Sequence, residues 1–328
     1  MISISNQELE KAKNLLLAGE VVAIPTETVY GLAADIQNEE AIRKVFKLKE
    51  RPFFDPLIVH VASLKQAKAL TTEWGPLTDF IARYFWPGPL TLILPKATSV
   101  NSLITSGLET VAVRLPNHNM ALQIITHVGP LAAPSANKFG QTSPTEAYHV
   151  KQEFKDPSVF VVDGGPCEIG IESSVIEINS EQNLISILRP GRIGLIELEE
   201  ALSKWSHPVT IKRVQSHKSP GHTPHHYVPS LPFAVLMKSE RIQDLKGIIP
   251  ANVEADKGRE LKLSTEPEQA ARELYAQLRI MSNSPGAQFI YYSISDDQLH
   301  DSRWDAILDR IQRASEFKSK ASRLALHF

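Results

Sequence analysis

The chain has 328 residues, about twice the ~150 residues of an average domain, so two domains are expected. Hydrophobic residues make up 42% and charged residues 22%, which is typical of folded globular proteins and excludes a disordered or collagen-like chain. With 35 Lys and Arg against 37 Asp and Glu, the net charge of −2 provides no general attraction to nucleic acid or anionic membranes. Any anion-binding site must therefore be local.

The single cysteine, Cys167, excludes intramolecular disulfides and Cys-rich zinc or iron–sulfur sites. It follows a Gly-Gly-Pro turn and has no neighbouring base, so we interpret it as a small buried or turn residue. The N-terminus lacks the basic and apolar regions of a secretion signal, and no stretch approaches the ~18 apolar residues of a membrane span. We expect a cytoplasmic protein that makes no membrane contact.

Helix-like and strand-like segments alternate along residues 1–202, which indicates an α/β fold. The first helix begins at a capping box, residues 5–8, and ends at Gly19. Apolar spacing predicts further helices over residues 39–48, 77–84, 120–127, 146–153 and 196–202. Short apolar runs predict strands over residues 21–25, 57–61, 90–95, 111–115, 159–163, 174–178 and 185–189.

Residues 204–232 differ in composition from the rest, with five prolines and five of the eleven histidines. Because proline fixes φ and removes a hydrogen-bond donor, this segment reads as an extended strap rather than a loose tether. It separates a domain over residues 1–203 from a smaller α/β domain over residues 233–328. Within the second domain we predict strands over 233–237 and 288–294 and helices over 266–281 and 304–317.

Five cations and one acid lie between Arg43 and Arg51. A solvated helix face is the ordinary interpretation of such a run. The alternative is an anion-binding loop, because Pro52 forces a turn just before a strand and loops at strand ends often bind ligands. In that case Arg51 is expected to be an exposed loop cation.

Three further features have two interpretations each. Residues 134–137 (PSAN) form either a plain turn or a phosphate-binding loop next to a helix that is capped by Ser143 and begins with Pro144. His60 lies in an apolar strand, where a core histidine is more common than a ligand. Arg114 ends an apolar strand and needs an anionic partner, for which a bound carboxylate is one candidate.

Several common motifs are missing from the sequence. It contains no GxxxxGK[ST], no GxGxxG after a strand and no HExxH, which leaves P-loop hydrolysis, dinucleotide redox chemistry and zinc proteolysis unsupported. His222, His225 and His226 are near one another but have no cysteine and only scattered acids beside them. We therefore predict no dedicated metal site.

Seven segments, taken in order, resemble the YrdC-like family. They are residues 25–32 (PTETVYGL), 47–52 (KLKERP), 56–60 (PLIVH), 86–91 (WPGPLT), 110–114 (TVAVR), 134–137 (PSAN) and 171–176 (IESSVI). The resemblance covers residues 1–203 and continues through 219–221 (SPG) and 226–229 (HYVP), as in the longer, two-domain threonylcarbamoyl-adenylate synthases.

This resemblance implies a fold and an activity. The implied fold is a twisted open α/β sheet with a concave, positively charged face, followed by a smaller Rossmann-like domain. The implied reaction joins ATP, L-threonine and bicarbonate into threonylcarbamoyl-adenylate and pyrophosphate, with Mg²⁺ accompanying ATP. The product would serve threonylcarbamoyl transferase proteins that modify the adenosine beside the tRNA anticodon, and a contact with tRNA itself is left open.

The resemblance also implies roles for individual residues. Those on the nucleotide side are Lys49, Arg51, Asp55, Thr110, Ser135, Asn137, Ser143, Arg189 and Tyr227. Those on the threonine side are Thr28, His60, Arg114, the backbone of Ala133, and Ser173. Lys49, Arg51, Ser135 and Asn137 are the predicted catalytic residues, because the carbamate nucleophile is already an anion and its reaction needs mainly charge and orientation. Tyr227 is predicted to cover the mouth of the nucleotide pocket with the strap.

Three positions depart from the family pattern. Asp55 stands where Asn is common, Phe139 where Ser is usual and Ser174 where Thr is usual.

The enzyme function has two rivals from other classes. An RNA-binding module without catalysis remains the alternative, although the full threonine-side set favours an enzyme. The second rival is carbamoyl transfer in hydrogenase maturation. That system uses Cys-rich zinc fingers, and a chain with a single cysteine cannot form them.

Overall fold

The structure is a computed structural model that describes residues 6–155, 159–214, 216, 218, 226–250 and 253–325. The chain divides into two compact units. The first contains residues 1–139 and 144–222, and the second contains residues 140–143 and 223–328. The boundaries that we place at 203 and 233 stay predictions.

The first unit consists of helices alternating with short strands. Its helices are α1 (Asn6–Leu17), α2 (Glu39–Lys49), α3 (Leu64–Ala69), α4 (Pro76–Phe85), α5 (Ser102–Thr105), α6 (Asn119–Val128), α7 (Ala147–Glu153) and α8 (Leu195–Leu202). Its strands are β1 (Val22–Ile24), β2 (Gly31–Asp35), β3 (Ile58–His60), β4 (Leu90–Pro95), β5 (Thr110–Arg114), β6 (Leu131–Ala132), β7 (Phe160–Val161), β8 (Ser174–Asn179), β9 (Leu184–Arg189) and β10 (Thr210–Arg213).

These ten strands form one mixed, open sheet in the order β10-β9-β8-β4-β5-β3-β6-β2-β1-β7. The centre of the sheet determines where two predicted site residues lie. Strands β3 and β5 are parallel, with His60 in register with Arg114, and β4 is antiparallel to β5, with Thr91 opposite Arg114. Most side chains of these strands are buried. His60 and Arg114, two of the predicted threonine-side residues, therefore lie at the buried centre of the sheet.

The end of α2 explains how the predicted cationic loop is positioned. Asn38 caps the helix by accepting a hydrogen bond from the Ala41 backbone N–H at 3.1 Å. At the other end Glu50 adopts left-handed backbone geometry, with φ +53°, and the Arg51 N–H bonds to the Phe46 carbonyl at 3.0 Å. This turn ends the helix directly after Lys49, so Arg51 is the first residue past the turn.

The second unit contains a smaller sheet of four parallel strands. The strands are β11 (Phe233–Met237), β12 (Gly258–Glu260), β13 (Phe289–Ile294) and β14 (Phe317–Lys318), in the spatial order β12-β13-β11-β14. The helices are α9 (Pro267–Ser282), α10 (Asp296–His300), α11 (Asp305–Ala314) and α12 (Lys320–Ala325), with 3₁₀ turns at Ile242–Leu245, Ala255–Lys257 and Ser302–Trp304. The expected α/β architecture, an open sheet domain followed by a Rossmann-like domain, is confirmed.

Two predicted boundaries are wrong. The helix expected to start at Ser143 and Pro144 begins at Ala147, because the carbonyls of Pro144 and Thr145 accept hydrogen bonds from the Tyr30 and Cys167 N–H groups at 2.9 Å. The helix expected to continue to residue 317 ends at Ala314, and Phe317 begins β14. Tertiary pairing of the backbone overrides the local helix signal at both places.

The remaining sequence predictions concern the strap, the first capping box and the absence of a membrane span. Strand β10 lies within the predicted strap and pairs in parallel with β9. Ser5 of the first capping box, and residues 219–225 of the strap with His222 and His225, lie outside the described residues. Among the residues that are described, no helix is long and apolar enough to cross a membrane.

Candidate functional site

The Lys49 ammonium joins two segments that are far apart in sequence. Its Nζ donates to the Ser135 carbonyl at 2.5 Å and to the Asn137 carbonyl at 2.6 Å. The Phe139 N–H donates back to the Lys49 carbonyl at 2.7 Å. The end of α2 and residues 135–139 therefore form one cluster. Burial lowers the pKa of Lys49 well below its usual range, and the nearby Arg51 charge adds to this effect.

Arg51 is not the exposed loop cation predicted from the sequence. Its side chain is only 4% exposed and its Nη2 lies 3.0 Å from Asp55 Oδ2. Nε donates to the Asp55 carbonyl at 3.0 Å, and Nη2 donates to the Pro56 carbonyl at 2.7 Å. The prediction of exposure is wrong because the loop folds back and provides its own anion and acceptors. Asp55 thereby enters the site through a contact with Arg51.

The carbonyls of Ser135 and Asn137 lie beside the Lys49 amine, but no helix begins beside them at Ser143. Ser135 forms an isolated antiparallel bridge with Gly31, and the Ala136 N–H bonds to the Tyr30 carbonyl at 2.8 Å. Asn137 is buried, and its Nδ2 donates to the Lys138 carbonyl at 2.7 Å. The segment is therefore held by backbone pairing, which leaves the Ser135 side chain only half-buried.

Arg114 is the centre of a second buried cluster. Its Nη1 donates to Thr28 Oγ1 at 2.8 Å, its Nε donates to the Gly88 carbonyl at 3.3 Å, and its Nη2 lies 2.8 Å from Glu27 Oε1. The sequence predicted an anionic partner for Arg114 and suggested a bound carboxylate. The chain itself supplies one in Glu27, which sequence reasoning did not select.

His60 is buried next to Arg114 on the neighbouring strand. Its Nδ1 makes no hydrogen bond to the described part of the chain, so it is not the fully satisfied core histidine that the strand pattern favours. Burial lowers the pKa of His60 to about 3, and the Arg114 charge contributes. The imidazole is therefore neutral at physiological pH and presents one uncharged nitrogen in the interior.

A neutral buried histidine predicts a specific acid sensitivity. Between about pH 6.5 and pH 3, the His60 imidazole takes up a proton in the unfolded chain but not in the folded one. The free energy of unfolding should therefore fall as the pH drops through this window, by up to about 1.4 kcal/mol per pH unit. In H60Q this part of the loss should disappear. Thermal or urea unfolding at pH 7 and pH 4.5 would measure it, with H127Q, an exposed histidine in α6, as the control that keeps the wild-type loss. An equal loss in H60Q and wild type would contradict the prediction.

Ser173 and Arg189 connect the two predicted sets of site residues. Ser173 Oγ lies 2.8 Å from Thr91 Oγ1, and Thr91 is opposite Arg114 on the neighbouring strand. Arg189 donates from Nε to the Ser173 carbonyl at 3.1 Å and from Nη2 to Ser173 Oγ at 3.2 Å. A residue predicted for the nucleotide side thus orients one predicted for the threonine side. Thr91 lies in the segment 86–91, but the resemblance implies no role for it.

Ala133 and Thr110 lie at different distances from these clusters. Ala133, two residues before Ser135, lies alongside β3. Its N–H donates to the Ile58 carbonyl at 3.0 Å. Thr110 begins β5, whereas Arg114 ends it, and the strand geometry puts roughly 13 Å between their Cα atoms. The structure therefore places Ala133 beside the site strands and Thr110 at the opposite end of β5.

Ser143 and Tyr227 belong to the second unit. Ser143 is fully buried there, and the neighbouring Thr142 hydroxyl donates to the Tyr227 carbonyl at 3.3 Å. Tyr227 is 1% exposed with φ +70°, and its ring packs on Tyr275 with centroids 5.6 Å apart. Both are held firmly within that unit, and their nucleotide roles stay predictions.

The remaining candidates for chemistry are the Cys167 thiol and a metal site. Burial raises the pKa of the Cys167 thiol, which is 3% exposed, so it is not a ready nucleophile. Within the described ranges, no group of three or more His, Cys, Asp or Glu side chains is placed to hold a metal ion.

The residues missed by sequence reasoning are Glu27 and Thr91. Glu27 stands between two threonines directly after a strand, inside a segment already singled out, and Arg114 called for an acid. The signal was therefore present, but nothing in the sequence showed which acid would reach Arg114.

Two sequence families match this chain. The profile of the Sua5, YciO and YrdC family, described as telomere recombination, matches residues 14–191. A profile described as the threonylcarbamoyl-AMP synthase C-terminal domain matches residues 193–316. Together they cover both units.

Curated relatives and solved structures agree with these matches. A threonylcarbamoyl-AMP synthase of Pyrococcus abyssi is 43% identical over 69% of this chain and 67% of its own length. One of Bacillus subtilis is 41% identical over 74% of this chain and 71% of its own length. A crystal structure of P. abyssi Sua5 complexed with L-threonine has 34% identity and a TM-score of 0.82, covering 95% of both chains.

Proposed function

The chain belongs to the Sua5/YciO/YrdC family, and we propose that it joins ATP, L-threonine and bicarbonate into threonylcarbamoyl-AMP with release of pyrophosphate. Threonylcarbamoyl-AMP synthesis, an adenylyl-transferring step of tRNA modification, is the activity named for its curated relatives. The observation that carries the proposal is the similarity along 95% of the chain to a structure complexed with L-threonine.

The buried cluster around Arg114 suits the threonine end of the reaction. Its guanidinium can fork onto the substrate carboxylate, while Thr28, His60 and Ser173 supply uncharged polar atoms nearby. We assign the Ala133 backbone to the same side. Threonine's amine captures bicarbonate as a carbamate with loss of water, which leaves an anionic oxygen as the nucleophile.

The cluster around Lys49 suits the phosphate end. The carbamate oxygen attacks the α-phosphorus of ATP in line and pyrophosphate leaves, so the protein mainly supplies positive charge and hydrogen-bond donors. Lys49 and Arg51 supply charge, while Ser135, Asn137 and Arg189 orient the groups. Mg²⁺ arrives with ATP as part of the substrate and neutralises phosphate oxygens. Asp55, Thr110, Ser143 and Tyr227 are also assigned to the nucleotide.

The product is a mixed anhydride that must be consumed by a transferase acting on tRNA adenosine. We therefore expect threonylcarbamoyl transferase proteins as downstream partners, and a direct contact with tRNA as an open alternative route of delivery.

Pyrophosphate release from ATP tests this function. Release should require both L-threonine and bicarbonate, and mass spectrometry should detect threonylcarbamoyl-AMP. Release that is independent of threonine would refute the substrate assignment. RNA binding with no pyrophosphate release under any condition would favour the non-catalytic alternative.

The low pKa of Lys49 predicts that ATP binding takes up protons. Phosphate oxygens favour the charged ammonium, so the pKa of Lys49 should rise on binding, and the fraction of Lys49 that is neutral in the free protein should take up a proton. Isothermal titration of ATP in buffers of different ionisation enthalpy measures this uptake. K49M should abolish it, whereas K47M, which removes an exposed lysine of the same helix, should not. Unchanged uptake in K49M would contradict the assignment.

A further inference from the structure

Glu27 is a buried acid to which neither the sequence nor the reaction above gives a role. It lies in the loop between β1 and β2, and its side chain is 3% exposed. Its Oε1 is 2.8 Å from Nη2 of Arg114, whose side chain is 4% exposed. Burying two opposite charges is costly unless they are paired with each other, so this contact requires an explanation.

The contacts of Glu27 show through which group it acts. Among the described residues, the polar contact of Glu27 is the ion pair with Arg114. Apart from this contact, neither carboxylate oxygen accepts a hydrogen bond from the part of the chain that the structure describes. The carboxylate therefore does not cap a helix or tie down a loop in this region. Its effect on the site is exerted on the Arg114 guanidinium.

The surroundings of Arg114 show what that effect is. Thr28 Oγ1 accepts from Nη1 and the Gly88 carbonyl accepts from Nε, while Glu27 lies beside Nη2. A guanidinium has five N–H groups in a fixed plane. These three contacts leave one N–H on each terminal nitrogen, which is the fork that a carboxylate binds. Three partners on three nitrogens also determine the orientation of the plane.

Charge balance supports the same conclusion. Without Glu27, the Arg114 charge would lose its ion-pair partner and keep a threonine hydroxyl and a backbone carbonyl as hydrogen-bond partners, next to the uncharged His60. Such a guanidinium would turn toward any available water or acid. With Glu27 present, the pair is neutral and Arg114 is in place before a substrate arrives.

We propose that Glu27 is a positioning residue for L-threonine, which acts by holding the Arg114 guanidinium in the orientation that binds the substrate carboxylate. This inference rests on the proposed function, because it takes threonine as the ligand of Arg114. It predicts that Glu27 controls threonine affinity and has little influence on ATP affinity.

The experiment compares E27A, E27Q and the control E197A in the full-length protein. Glu197 also pairs with an arginine, Arg192 at 3.0 Å, but lies on α8 with its side chain 28% exposed, so this pair is not buried as the Glu27 pair is. Isothermal titration gives the Kd of L-threonine and, separately, the Kd of ATP. Thermal unfolding reports whether each variant is folded.

E27A should raise the threonine Kd by about 10-fold to 100-fold, the cost of losing one charged contact, and change the ATP Kd by less than about twofold. E27Q keeps an acceptor oxygen for Arg114 but not the charge, so its threonine Kd should rise by about threefold to tenfold. E197A should leave both values unchanged.

An unchanged threonine Kd in folded E27A, or equal increases in both Kd values, would overturn the proposal. If E27A does not fold, E27Q decides, and a wild-type threonine Kd in E27Q overturns it. Wild-type protein that binds no threonine and releases no pyrophosphate would instead refute the proposed function, and this inference with it.

Discussion

R51A should lower the rate of threonylcarbamoyl-AMP formation by about 100-fold to 1000-fold, the usual effect of removing one group that stabilises charge in a transition state. Arg51 follows the turn that ends α2, next to the Lys49 amine that binds the Ser135 and Asn137 carbonyls. We expect its charge to balance that of the triphosphate as pyrophosphate leaves. Pyrophosphate release at saturating ATP and threonine measures the effect, and normal turnover would remove Arg51 from the site.

R51A should also destabilise the fold, which complicates any simple interpretation of lost activity. Arg51 and Asp55 form a buried pair at 3.0 Å, and removing one member of such a pair typically costs about 3 to 5 kcal/mol. The double variant R51A/D55N removes the unbalanced carboxylate and should regain most of the stability. If the double variant also regains activity, Arg51 acts on stability and has no part in catalysis.

The fold was predictable where the signal is local. Apolar spacing and caps located α2, α4, α6 and α9, and apolar runs located β4, β5, β8 and β9, within a few residues. The strands β2 and β6 were not predicted. β6 has only two residues, and the pairing of β6 with β2 and with β3 joins segments that are distant in sequence. The false helix start at Ser143 failed for the same reason.

The site was predictable as a set of residues but not as a set of contacts. Resemblance selected Lys49, Arg51 and Arg114, and all three lie in polar clusters inside the first unit. The burial of Lys49 and Arg51, and the identity of the acids beside Arg51 and Arg114, were not foreseen. A motif shows which residue types occur and in what order. The pair of Arg114 and Glu27 joins positions that are 87 residues apart (114 − 27). It forms only because β5 lies against the loop after β1, which a motif does not show.

These buried pairs have a common physical consequence for function. Two of the cations that we assign to the reaction are each held beside an acid of the same unit, Arg51 by Asp55 and Arg114 by Glu27. The charge of each cation is therefore largely balanced by its partner, which suits a protein with no excess of positive charge overall. Substrate anions must add to an existing hydrogen-bond arrangement, so geometry and not bulk charge should determine affinity.

R114K provides the strongest test of that view, because it keeps the charge and changes only the geometry. A lysine ammonium still balances Glu27, so the protein should stay folded. It cannot bond Thr28, the Gly88 carbonyl and Glu27 while also presenting a planar fork to a carboxylate. The KM for L-threonine should therefore rise by about 10-fold to 100-fold, while the KM for ATP changes by less than about twofold.

Steady-state pyrophosphate release, with each substrate varied at saturation of the other, separates these two constants. R83K is the matched control, because Arg83 is 63% exposed and pairs with Asp79 on the same helix. It should leave both KM values at wild-type levels, since surface ion pairs contribute little. If R114K leaves the threonine KM unchanged, charge alone is sufficient at this position. If it raises both KM values equally, Arg114 supports the fold and does not bind the substrate carboxylate.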